Sequence, residues 1–329
     1  MPTVKQAHVD VALTNISIAY LQDEKNFVAD SVFPKVSVKQ QSNIYYSYNK
    51  GDFFRNEMKV RAKGTESAGS TYAVAKEEPY FCKKRSLHFD ITPEERVNYD
   101  APLDADKDAV TWLTQKSLLE REVDWASNYF VAGKWSTQID GDTTAAAAST
   151  GVNQKVLKWT NPLSTPIEDV TNAGINMASN TGFKPNKLVI SPRVFNALKN
   201  HEDIIDRIKY TQKGIVTTDL LATLFEVDQV LVAWAVVNNA VSGATEATDF
   251  ILGDNALLVY AAPSPALRTP SAGYIFTWTG LLNASAYGSR MIRIPMDSLG
   301  IGTERIEIEM AYDSKIIAAD LGVFFKDIV

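Results

Sequence analysis

Val36-Ser-Val-Lys-Gln-Gln-Ser-Asn-Ile-Tyr-Tyr-Ser-Tyr48 is the stretch whose reading decides how this chain is built. Val36 and Val38, then Ile44, Tyr46 and Tyr48, recur with period two, the spacing of a β-strand. Ala62-Lys-Gly-Thr-Glu-Ser-Ala-Gly-Ser-Thr follows, and a second strand-like run goes from Val74 to Phe89. The pattern predicts a long β-hairpin over 36–91 with a flexible tip; at about 18 residues per arm it would reach roughly 60 Å. Two strands of that length have no core of their own and are marginal alone in water. Their stability must come from a surface they lie on.

Charge says what kind of surface. Over 35–90, eleven Lys and Arg stand against six Asp and Glu, so the segment carries +5 and the remaining chain −11. A basic arm on an acidic body predicts docking on acidic surface, its own or a neighbour's. The net charge of −6 argues against a counterion-releasing grip on nucleic acid. A 45% hydrophobic, 22% charged composition excludes wholesale disorder. One cysteine, Cys82, excludes an intrachain disulfide and a multi-cysteine zinc site. The N-terminus lacks a signal-peptide layout and no apolar run approaches a membrane span, so a soluble cytoplasmic protein is expected.

Outward from the hairpin, residues 1–35 read as a docked arm, with an apolar patch at Val11–Leu21 and then Val32-Phe33-Pro34. Residues 102–133 give a long helix, opened by Asp104, Asp106 and Asp108 after Pro102 and stopped by Gly133. Its apolar stripe is expected at Trp112, Leu119, Val123, Ala126 and Phe130, with Glu120, Arg121, Glu122, Asp124 and Asn128 mostly on other faces. Thr143–Gly151 is loop-like. Residues 163–262 alternate helix and strand: Thr165–Gly182, Lys187–Ser191, Pro192 to about Tyr210, Thr218–Phe225, Gln229–Val237 and Ala256–Tyr260. The two last are expected to be strands buried on both faces. Strands return over the last 60 residues, and the apolar run from Lys315 to Val329 predicts a buried C-terminus.

The chain shows no chemical motif. His8, His88 and His201 lie in different segments and read as surface or hydrogen-bonded histidines. Cys82, although followed by Lys83 and Lys84, reads as a half-buried strand thiol. Asp104–Asp108 copies the start of a calcium loop, but Ala109 and Gln115 occupy its required Gly and Glu positions. Gly300-Ile-Gly302 precedes a strand and is no dinucleotide loop. No catalytic, cofactor-binding or metal residue is assigned.

Lys158-Trp159, Thr165-Pro-Ile-Glu-Asp-Val, Gly182-Phe-Lys-Pro-Asn-Lys-Leu-Val-Ile-Ser-Pro-Arg-Val-Phe-Asn-Ala-Leu-Lys-Asn-His, Ile208-Lys-Tyr, Leu224-Phe-Glu-Val-Asp-Gln-Val-Leu-Val and Phe250-Ile-Leu-Gly-Asp-Asn-Ala-Leu-Leu-Val-Tyr follow one another in the chain. That succession resembles the major capsid proteins of tailed bacteriophages, with the α+β Hong Kong 97-type fold. The resemblance implies an N-terminal arm (1–35), an extended β-hairpin loop (36–91), and a peripheral domain (92–162) with spine helix 102–133. It further implies an axial domain (163–270) and C-terminal strands (271–329) completing both. It implies a non-enzymatic subunit of hexamers and pentamers in an icosahedral head, enclosing double-stranded DNA without sequence-specific binding. Lys50, Arg55, Lys59, Arg61 and Lys63 become candidate intersubunit contacts. A separate scaffolding protein, a portal protein and possible decoration protein are implied partners, with assembly in the host cytoplasm, a location in the virion and no role for a membrane. The isopeptide cross-link of some members is not expected. The alternatives are an encapsulin-like compartment with protein cargo and an unrecognised α+β enzyme.

Overall fold

The computed structural model describes residues 21–76, 79–99, 104–144, 153–208, 216–266, 268–282 and 290–329. The chain begins with α1 (Ala29–Val32), β1 (Lys35–Val38), β2 (Ser42–Asn43), β3 (Tyr46–Tyr48), α2 (Lys50–Phe54), β4 (Val74–Lys76), β5 (Tyr80–Phe81) and β6 (Lys83–Ile91). It continues through α3 (Pro93–Asn98), α4 (Ala105–Tyr129), β7 (Thr137–Asp142), β8 (Asn153–Leu157), α5 (Pro166–Thr181), β9 (Lys187–Ile190), α6 (Pro192–Lys199), α7 (Glu202–Ile208) and α8 (Thr218–Leu224). It ends with β10 (Gln229–Val232), β11 (Val236–Asn238), β12 (Thr248–Phe250), β13 (Ala256–Val259), β14 (Gly273–Trp278), α9 (Thr279–Leu282), β15 (Arg290–Pro295), β16 (Glu304–Ile316) and β17 (Gly322–Lys326).

Asp104 caps α4, its carboxylate accepting from the N–H groups of Asp106 (3.1 Å) and Lys107 (3.2 Å). The helix runs about 37 Å. Its buried stripe differs from the expected one: Ala105, Ala109, Leu113, Ser117, Glu122, Trp125 and Tyr129 face inward, while Trp112 is 41% exposed. Small residues in the first half let the helix lie close on β6 and β16, packing with Ile91, Ile306 and Ile308. Trp125 and Tyr129 fill the wider space at the other end. Glu122, expected on an outer face, is fully buried. The chain leaves the helix at Phe130, and Gly133 adopts its positive φ of 76° in the turn beyond. Pro102 and most of the Thr143–Gly151 segment lie outside the described residues.

One sheet has the order β1-β14-β16-β15, with β6 also paired to β16 from Glu304 to Tyr312. A six-stranded mixed sheet has the order β10-β9-β13-β17-β7-β8. Alternation along its strands gives two apolar faces. Leu188, Ile190, Leu258, Val323 and Phe325 pack under α5–α8, whereas Val189, Leu257, Val259 and Phe324 meet Trp125, Tyr129 and α1. The last strand, β17, is interior to this sheet, so the C-terminus is buried as its apolar run indicates.

Local punctuation is read correctly at α5, which starts at Pro166 and ends on Gly182 with φ of 75°. Two expected elements are broken. The helix from Pro192 stops at Lys199, where Asn200 turns back on Asn196 and Ala197, and α7 restarts it; Tyr210 is outside the described residues. The run Gln229–Val237 is not one buried strand. It leaves the sheet edge after Val232, Ala235 donates to Asn26, and Trp234 is 47% exposed.

Candidate interaction surface on the extended arm

The arm grows from the five-stranded sheet. Its outgoing root, β1, pairs in parallel with β14, and its returning root, β6, runs antiparallel along β16. Between them β2 pairs β5 and β3 pairs β4, with Ser42 opposite Phe81 and Tyr48 opposite Val74. The regular ladder is therefore much shorter than the expected hairpin. Asn49 ends it by accepting the Gly51 N–H at 3.0 Å, which turns the chain into α2. No strand occurs from 55 to 73, where the Gly, Ser and Thr content disfavours pairing.

Near its root the arm is anchored by packing. Tyr80 stacks on Phe276 at 4.6 Å, Cys82 lies fully buried beneath, and Asp313 accepts the Phe81 N–H at 2.9 Å. Burial pushes the Cys82 thiol up to about 12, so the neighbouring lysines do not activate it; the expected half-buried strand thiol is instead fully buried and lies between β5 and β6. Farther out, Tyr48, Phe53 and Tyr72 contact one another at 5.8–6.0 Å. Between Phe53 and Tyr72 the arm has no interior: residues 58–71 are all exposed. Met58 is 93% exposed and Val60 fully so. Such exposed apolar residues on a coreless stretch make it the candidate interaction surface.

The basic residues divide by position. At the root they meet acids of their own body: Lys84 pairs with Glu309, and Arg85 with Asp124 and, at 2.9 Å, Glu120. Of the candidate contacts, Lys50 pairs with Asp320 of the body. Arg55 pairs with Asp52 (3.8 Å) and Glu57 (3.2 Å) within the arm, and Arg61 bonds the Thr65 carbonyl. Lys59 and Lys63 have no ion pair among the described residues. Sequence reasoning had weighed the arm's charge and passed over Phe53, Phe54, Met58, Val60 and Tyr72. Their signal is the presence of large apolar residues in a stretch too Gly- and Ser-rich to build a core.

The polar clusters elsewhere among the described residues do not compose a nucleophilic site. Ser164 Oγ and His201 Nε2 lie 2.9 Å apart and buried, but His201 Nδ1 accepts the Asp203 N–H at 3.2 Å. With Nδ1 accepting, the ring proton sits on Nε2, which donates toward Ser164 Oγ and the Asn161 carbonyl and so is not placed as a base for Ser164. Asp169 is pushed up to about 6, chiefly by burial, and accepts from Trp159 Nε1 at 3.0 Å. His88 is exposed beside Asp90 at 3.9 Å, and His8 lies outside the described residues. No group of three or more metal-ligating side chains occurs among the described residues, nor any helix long and apolar enough to cross a membrane.

The fold is one found in phage capsids. The chain matches the mature capsid of bacteriophage PhiM1 with a TM-score of 0.61 at 9% identity, covering 97% of this chain and 91% of that one. A phage-related protein of Bordetella bronchiseptica gives a TM-score of 0.68 at 21% identity, covering 93% and 94%. By sequence, the major capsid protein of Burkholderia phage BcepMu is 29% identical over 262 residues, 77% of this chain and 76% of its own. The major capsid protein of Pseudomonas phage JBD67 is 24% identical over 330 residues, covering 98% and 97%. No protein-family model matches the chain. The resemblance to phage major capsid proteins therefore holds, and these likenesses support a structural capsid subunit.

Proposed function

We propose that this chain is the shell-forming subunit of a tailed-phage head, assembling with copies of itself into hexamers and pentamers around double-stranded DNA. The observation that carries the reading is the arm over 55–76: it projects without a core and presents apolar and basic side chains that its own body leaves uncovered. In a closed assembly each subunit lays this arm over the next, turning exposed apolar area into shell stability. Lys59 and Lys63 then meet acidic surface of the neighbour, whereas Lys50 braces the arm against its own body.

In this reading the division is of the Hong Kong 97 type. Residues 1–35 are the N-terminal arm, 36–91 the extended loop, 92–162 with α4 the peripheral domain, and 163–270 the axial domain. Residues 271–329 complete both. Assembly in the host cytoplasm would use a separate scaffolding protein and a portal, with a decoration protein as a further candidate partner. Deleting 55–75 tests the role of the arm. The variant is expected to stay folded by circular dichroism and to sediment as a small species; normal shells from it would overturn the proposal.

A further inference from the structure

Among the described residues, Glu122 is the fully buried acid left with an unpartnered oxygen. It lies on α4, facing inward, with 0% exposure. One oxygen, Oε2, accepts the N–H groups of Val28 (2.9 Å) and Ala29 (2.8 Å), the first amides of α1. The other, Oε1, is buried and has no hydrogen-bond partner among the described residues. The side chain thus pins the N-terminal segment to the spine helix, and Val32 and Phe33 are buried against Trp125 and Tyr129.

We propose that Glu122 is a protonation-controlled latch: neutral, it holds residues 28–33 on the spine helix; ionised, it loosens them. An ionised carboxylate here keeps two N–H bonds but loses its water, and one oxygen receives nothing in return. A helix of four residues offers little dipole to offset that loss.

The surrounding charges do not neutralise it. Asp30 on α1 opposes ionisation and Arg121 on α4 favours it, but Arg121 is itself engaged with Asp30 at 3.1 Å. Lys35 on β1 sits 3.7 Å from Asp30, and Lys187 on β9 bonds the Val32 carbonyl at 2.9 Å. Tyr312 on β16 is kept protonated by burial. The resultant pushes Glu122 up to about 7, with burial the largest cause. A groove of about 410 Å³ lies beside the docked segment, lined by Phe27, Val28, Asp30 and Leu118 among others.

The direction follows from linkage. Released, Glu122 meets water and returns toward the ordinary value of 4.5; docked, it holds its proton to about pH 7. Docking is therefore strongest in acid and weakens as pH rises through that window, by on the order of a hundredfold in the opening constant. This inference concerns the arm of one chain and stands whether or not the subunit builds a phage head.

Hydrogen exchange on the full-length protein between pH 4.5 and 8 tests it. Protection of the Val28 and Ala29 amides, corrected for intrinsic rates and referred to Leu188–Ile190, should fall about a hundredfold in the wild type. In Glu122→Gln, which keeps the acceptor and cannot ionise, it should be flat. Wild-type protection independent of pH would overturn the latch, even if the variant failed to fold. An equal fall in the variant would overturn it as well.

Discussion

Replacing Met58 and Val60 by serine isolates what the arm contributes to assembly. Both side chains stand in solvent, at 93% and full exposure, so their removal takes nothing from the folded subunit, whose stability should change by less than about 0.5 kcal/mol. If a neighbour covers them, each loses about 1.5–3 kcal/mol of burial, together about 3–6 kcal/mol per contact. That weakens each arm–neighbour association by about two to four powers of ten. Sedimentation velocity across a concentration series reads the threshold for assembly, and thermal unfolding of the dissociated subunit serves as control. The threshold should rise steeply while the unfolding midpoint holds. An unchanged threshold would refute the reasoning, as would a subunit destabilised by several kcal/mol, since either result would place these residues in the wrong environment.

Other positions test the fold beneath the arm. A Cβ at Gly322 would lie 2.1 Å from Trp135, whose indole is fixed by a 2.7 Å bond to the Tyr129 carbonyl, so Gly322→Ala should cost about 1–3 kcal/mol in urea unfolding. Asp169, raised by burial, contributes stability that is fullest below its unfolded value of 3.8 and is lost as pH rises to about 6. The loss is about 3 kcal/mol, and Asp169→Asn should flatten that slope while keeping an acceptor for Trp159. Cys82 should resist iodoacetamide at pH 8 in the native protein and react promptly in denaturant.

What could be read from the sequence was what local chemistry decides. Asp104 starting α4 and Pro166 with Gly182 bounding α5 are settled within a turn of their own residues. The buried stripe of α4 was misread because size was taken for burial. The helix approaches the sheet through Ala105 and Ala109, and its large Trp112 lies at the rim, edge-on to Phe89 at 5.8 Å. Glu122 was invisible for a different reason: its partners, the amides of Val28 and Ala29, are 94 and 93 residues away. At the arm, charge counting gave the segment's net +5, yet it could not divide the cations between root and tip. That division depends on Glu309, Asp124 and Asp320, acids brought up by strands and helices remote in sequence.

The central claim is that this subunit exists to join copies of itself, and electron microscopy of the purified full-length protein examines it most directly. The account predicts closed shells tiled by sixfold and fivefold rings, with the arm of each subunit traced across its neighbour. A small discrete oligomer, or rings in which residues 55–76 lie free of any neighbour, would contradict it.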